Sequence, residues 1–358
     1  MRKKSLWLVL GLAILVLALA LAGCGGESTT PPDNNGNNGD NGNNGDAPGI
    51  EYETPDSLTI GSASIGGTYY LYAQAWAGLA TEATGIPTSV EVTDGPNHNL
   101  IGIQDGNFRL GMTTMGPAYE AWNGEEDWTG GLEHKDVRAL FPMYNTYFHW
   151  VADAGSGITS LDDMAGKRVG SGPAAGTIGT FGPRFFELLG IDVTISNGGI
   201  GDLMENQGDG LLDANGFAAG IPVSAYSQYE VTKGPENVVF IGVNGENREK
   251  IKQEWPYFAD AVIPAGTYSA LEEDLETVGV WNIAIGSKYL HPDVVYEMVK
   301  AVLENNDAMK DGHGAAKETL AENFEYMDII PLHPGAIRYF EEKGYTIPDH
   351  LIPEEYQQ

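Results

Sequence analysis

The groups in this chain best suited to chemistry are backbone amides, presented by two glycine-rich loops. Gly61-Ser-Ala-Ser-Ile-Gly-Gly-Thr68 follows a short apolar run and leads into helical spacing, and Ser171-Gly-Pro-Ala-Ala-Gly-Thr177 does the same in the second half of the chain. Such a loop leaves several N–H groups unpaired at the positive end of the following helix, which makes an anion cradle. Two cradles facing each other would hold the ends of a small molecule with acidic groups, at the carboxyl ends of the strands where open sheets take their ligands. Aromatic residues gather beside the loops, at Tyr69, Tyr70 and Tyr72 and again at Tyr144, Tyr147, Phe148 and Trp150. A tyrosine offers apolar cover and a hydroxyl donor together. On a helix Tyr69 and Tyr72 share a face, so one of them is core; Tyr69, nearer the loop, is the cleft candidate.

Other reactive constellations are weaker. Gly170-Ser-Gly-Pro-Ala-Ala175 fits the dinucleotide pattern GxGxxA, with Asp192 about 20 residues further on. Pro173, however, removes a donor that a pyrophosphate would use. Ser64, in Ser62-Ala-Ser-Ile-Gly66, is one glycine short of a nucleophile elbow, and no Lys-Ser or Lys-Thr follows either loop. The seven histidines include no pair at i, i+4 and no HExxH, so capping or solvated roles are expected and no metal site. Arg184 could clamp a carboxylate, but it lies seven residues past Thr177, roughly 10 Å along a helix, and is expected at the surface or a lobe interface. No catalytic residue, metal or cofactor is expected.

Regular elements must position these loops. Leu58–Ile60, Val90–Thr93 and Leu110–Thr113 read as strands. They alternate with helices over Tyr69–Thr81 and His98–Gln104, and with one opened by Met115-Gly-Pro117. The same order returns with a strand at Arg168–Gly170, a helix from Gly179 to Leu189, and strands at Asp192–Ile195 and Asn215–Ala219. Pro222 then stands at an expected helix start. Alternation of this kind gives an α/β fold with parallel sheets. A body of about 305 residues exceeds what one core usually takes, so two lobes are expected. The long apolar run Thr277–Ile285 should return the chain to the first lobe. The lobes are then 55–142 plus 271–358 and 143–270, with the hinge at crossings near residues 143 and 270.

The first residues bear on the compartment. Arg2, Lys3 and Lys4 precede an apolar run ending Leu21-Ala-Gly-Cys24, which reads as a lipoprotein signal peptide over 1–23. Its run of about 16 apolar residues is short of the roughly 20 that span a bilayer. Cys24, the single cysteine, is expected to carry lipid. Residues 24–54 then form a flexible Gly/Asn/Asp linker. The chain has 19 Lys+Arg and 50 Asp+Glu; without Arg2, Lys3 and Lys4 the balance is 16 − 50 = −34. Nucleic acid is excluded as a partner by that charge.

Beyond these readings, several segments resemble the TAXI class of solute receptors of tripartite ATP-independent periplasmic (TRAP) transporters, over about Leu58 to Tyr345. They are Ile65-Gly-Gly-Thr-Tyr-Tyr70, Leu161-Asp-Asp-Met-Ala-Gly-Lys-Arg-Val169 running into Gly172–Thr177, Gly266-Thr-Tyr268 with Thr277-Val-Gly-Val280, and Pro331-Leu-His-Pro-Gly-Ala336 with Tyr339. The resemblance implies a two-lobed, type II periplasmic-binding-protein-like fold with a ligand cleft between hinged lobes. It also implies an extracytoplasmic receptor that gives a glutamate-like amino acid or dicarboxylate to TRAP permease subunits, without catalysis. Carried over by position, it puts Gly67, Thr68 and Tyr69 in the first ligand loop and Ala175, Gly176 and Thr177 in the second. Phe217 to Gly220 form the strand end facing them, and Asn97 and Thr114 stand at the remaining loop ends. Phe181-Gly-Pro183 and Gly220-Ile-Pro222 depart from the family's pattern. A secreted enzyme acting on a small carboxylate is the alternative reading, and an adhesive surface lipoprotein, which would more often show β-repeats, the third.

Overall fold

The protein is described here by a computed structural model covering residues 50–356. The expected signal peptide, Cys24 and the linker up to residue 49 lie outside the described residues. Strands β1 (Leu58–Gly61), β2 (Thr88–Glu91) and β3 (Leu110–Thr114) alternate with helices α1 (Thr68–Thr84), α2 (Pro96–Gln104) and α3 (Met115–Asn123). α1 stops at Gly85, whose φ of 71° lets its N–H bond Thr81 O, a left-handed closure that costs glycine little. All five residues of β3 are buried, as suits a parallel strand covered on both faces.

The chain next runs through β4 (Val137–Asp153), a strand of 17 residues. A second block repeats the first: β5 (Arg168–Gly170), α4 (Thr177–Leu189), β6 (Thr194–Ser196), α5 (Ile200–Gly208) and β7 (Ala214–Ala219). After it come α6 (Ser224–Lys233), β8 (Val238–Ile241), α7 (Gly245–Glu254), β9 (Ala259–Ile263) and the long strand β10 (Leu275–Ser287). Helices α8 (Pro292–Glu304), α9 (Asn306–Gly312) and α10 (Pro334–Glu342) complete the fold. Pro222 does not open α6, whose first helical residue is Ser224 with Val223 at its N-cap.

The sheet order is β2-β1-β3-β10-β4-β7-β5-β6, with β8 added to β4 and β9 to β10. Each block therefore contributes three parallel strands in the same relative order, 2-1-3 and 6-5-7, closed by one antiparallel long strand. β4 and β10 run through both lobes. The first part of β4 pairs with the second part of β10, while beyond Tyr147 it pairs with β7 and β8. β10 pairs with β9 over 275–279 and with β3 over 282–286. Residue 143 thus lies inside β4, and residue 270 lies ahead of β10, whose partners change between Gly279 and Asn282.

α4, expected from Gly179 to Leu189, starts two residues earlier at Thr177 and continues through Pro183. An internal proline costs a helix about 3 kcal/mol. Packing offsets that here: Phe181 and Phe185 are fully buried, with ring centroids 5.2 Å from Phe258 in each case and 5.0 Å between Phe185 and Phe148.

Candidate functional site

Helices α1 and α4 start in the same way. Gly67 (φ −88°, ψ 160°) and Gly176 (φ −82°, ψ 161°) are their N-caps, and each donates its N–H to the carbonyl three residues back, Ser64 O at 3.1 Å and Pro173 O at 2.9 Å. A Cβ at Gly67 would meet Ser64 O at 3.2 Å and the Phe217 ring at 3.4 Å; one at Gly176 would meet Pro173 O at 3.1 Å. Neither helix has a side-chain cap. The N–H groups of both first turns are therefore left to whatever lies in front of them, at the end where the helix dipole favours negative charge.

What lies in front is a cavity of about 430 Å³ not filled by atoms, part of it open to solvent. The first lobe lines it with Ala63, Ser64, Gly67, Thr68, Tyr69 and the turn Asp94-Gly-Pro96; the second lobe supplies Pro173, Gly176, Thr177, Ile178 and Phe217 to Ala219. Asn282 of β10 completes the wall. Of the ten residues expected from sequence, Gly67, Thr68, Tyr69, Gly176, Thr177 and Phe217 line this space. Asn97, Thr114, Ala175 and Gly220 lie outside the lining, where they tie the lobes together around it. Asn97 N–H donates to Ala175 O at 3.1 Å, and its side-chain Nδ2 lies 3.2 Å from Thr180 Oγ1. Thr68 Oγ1 donates to Gly220 O at 2.7 Å, and the Thr114 and Thr177 hydroxyls stand 3.4 Å apart. Gly95 comes so near the other lobe that a Cβ there would be 3.0 Å from Gly176 Cα. The lobes are closed.

Sequence reasoning missed Asn282. Its Oδ1 accepts from the Tyr69 hydroxyl at 2.7 Å, while Nδ2 donates to Tyr144 O at 2.7 Å and Thr146 Oγ1 at 2.6 Å. One side chain thus joins the start of α1 to both long strands, at the point where the β10–β4 register is irregular. Burial and the neighbouring Tyr72 hold the Tyr69 hydroxyl far above its ordinary pKa, so it stays a donor. Tyr72 is core and bonds Thr319 at 2.8 Å.

A family model described as the NMT1-like family matches residues 60–344. The chain belongs to the NMT1-like family. Among solved structures it is similar to the periplasmic binding protein BugD, at 11% identity and a TM-score of 0.51, over 80% of this chain and 97% of that one. It is also similar to a structure described as a periplasmic transporter, at 16% identity and a TM-score of 0.48, over 76% of this chain and 94% of that one. The fold is the type II periplasmic-binding-protein-like arrangement expected from sequence.

In this NMT1-like chain a buried ion pair and several imidazoles serve the frame of the fold. Arg184 reaches across the lobes from α4 to α3, with Nη1 2.6 Å from Glu120 Oε1 and Nη2 3.3 Å from Glu126 Oε2. Glu120 is buried, also accepts from Trp128 Nε1 at 2.7 Å, and has its pKa raised by that burial. His291, His313 and His333 each accept a backbone N–H with their Nδ1 at the start of a helix. His149 lies between Tyr147 O and the Tyr268 hydroxyl, and burial lowers its pKa to about 4, so it is neutral near pH 7. Among the described residues no cluster of His, Cys, Asp or Glu is arranged to hold a metal.

Proposed function

We propose that this chain is an extracytoplasmic solute receptor. It takes a small anionic solute, a glutamate-like amino acid or a dicarboxylate, between its lobes and delivers it to the subunits of a TRAP-type permease. Lipid on Cys24 holds it at the membrane, and the lobes divide near 142/143 and 270/271. The observation that carries the reading is the convergence of two uncapped helix starts, one from each lobe, on one cavity. Two such ends favour negative charge and use backbone donors that no side chain has claimed. The likeness in fold to a periplasmic binding protein supports it.

The test is a thermal-shift screen of the purified full-length protein against dicarboxylates, oxo acids, amino acids and neutral sugars. At 100 times its Kd a ligand stabilises the folded state by about 2.7 kcal/mol, a rise of several degrees. A shift with acids and none with sugars is expected; a shift with sugars alone overturns the reading.

A further inference from the structure

We infer that the solute is a short carboxylic acid without an amino group, a dicarboxylate or 2-oxo acid and not an amino acid. The inference rests on the receptor reading above and narrows it. An ammonium carries three N–H donors and no acceptor, and it is costly to bury unless a carboxylate or a full set of acceptors meets it. The lining supplies neither. Its one acid is Asp94, whose side chain is 70% exposed and stands 3.8 Å from His98 Nδ1, at the outer edge of the space. The buried acids lie elsewhere and are occupied: Glu120 by Arg184 and Trp128, and Glu230 by the N–H groups of Ser269 and Ala270.

Neutral acceptors of the lining already hold donors: Asn282 Oδ1 takes the Tyr69 hydroxyl, and Ser64 O and Pro173 O take the N–H groups of Gly67 and Gly176. Both helix starts present their positive ends, which repel an ammonium as they attract a carboxylate. The Phe217 ring and the nearby prolines give the rest of the wall an apolar face. One polar side chain is left over. Ser64 is 8% exposed, lines the cavity, and its hydroxyl has no hydrogen-bond partner among the described residues. A hydroxyl can donate to a carboxylate or an oxo oxygen, whereas as an acceptor it would satisfy one ammonium donor of three.

Calorimetric titration of the full-length protein with matched pairs tests this: 2-oxoglutarate against L-glutamate, succinate against L-aspartate, pyruvate against L-alanine. Within each pair the carbon chain and carboxylates are the same; the amino acid carries an ammonium where succinate has a hydrogen and the 2-oxo acids have a carbonyl oxygen. In whichever pair binds, the acid without the amino group should bind about tenfold or more tightly, a difference of about 1.4 kcal/mol. An amino acid that binds as tightly as its partner, or more so, overturns the inference and leaves the receptor reading standing. Binding of no acid in any pair overturns both.

Discussion

Asn282 stands in the run Val278-Gly-Val-Trp-Asn-Ile-Ala-Ile285, where a buried strand would ordinarily carry an apolar side chain. That break in hydropathy was the one signal in the sequence that could have found it. Its partners could not be read, because Tyr69 and Tyr144 lie 213 and 138 residues away along the chain. The residues that were legible, Gly67, Thr68, Gly176 and Thr177, owe it to local causes: glycine at an N-cap and a helix starting directly after it. Replacing Asn282→Leu leaves the Tyr69 hydroxyl and the Tyr144 carbonyl without their buried partner. A buried polar group left unsatisfied costs about 1–3 kcal/mol. Chemical denaturation should show a loss of that order, and Tyr69→Phe, which removes only one of the bonds, should lose about 1 kcal/mol. Equal losses for the two variants would place the cost in the tyrosine bond alone and deny Asn282 its role between the long strands.

Secondary structure was legible because period and punctuation act locally; the strand expected over Arg168–Gly170 has those bounds in the structure. An error arose at Pro222, since α6 starts after the proline and not on it. The helix expected from Gly179 to Leu189 does form, and the aromatic cluster around Phe181 and Phe185 lets α4 carry Pro183 inside it. The pairing of α4 with α3 had no local signal either. Gly116 of α3 meets the second lobe so closely that a Cβ would lie 2.6 Å from the Phe181 ring and 2.8 Å from that of Tyr257, and Arg184 closes the contact on Glu120. Arg184→Met keeps much of the stem's packing and removes the charge that neutralises a buried carboxylate. Because the Arg184 side chain is 22% exposed, the cost should be below that of a fully buried pair, about 1–3 kcal/mol. If the pair holds the lobes together, solute affinity falls by roughly 5- to 150-fold, and small-angle scattering of the ligand-free protein shows a larger radius of gyration. Unchanged affinity and radius would mean that closure does not depend on this pair.

For the whole molecule, the duplicated block was visible in sequence because both copies repeat strand, glycine loop and helix in the same order. The long strands' change of partners was not, since register between segments more than a hundred residues apart has no local signature. Net charge was fully legible and bears on capture. At −31 for the chain, the overall field repels an anionic solute, while the cradles attract it only at close range. Salt separates these two ranges. The screening length falls from about 30 Å at 0.01 M to about 8 Å at 0.15 M, so added salt removes the distant repulsion and leaves contacts inside the closed cavity largely untouched. The association rate for a dicarboxylate, followed by stopped-flow tryptophan fluorescence, should therefore rise with ionic strength, while the dissociation rate stays nearly constant. Steered association shows the opposite trend, falling steeply with salt. A rate that falls would mean that a local basic surface guides the solute in spite of the chain's charge. A rate that rises would assign capture to short-range backbone donors, the groups that the two glycine loops present.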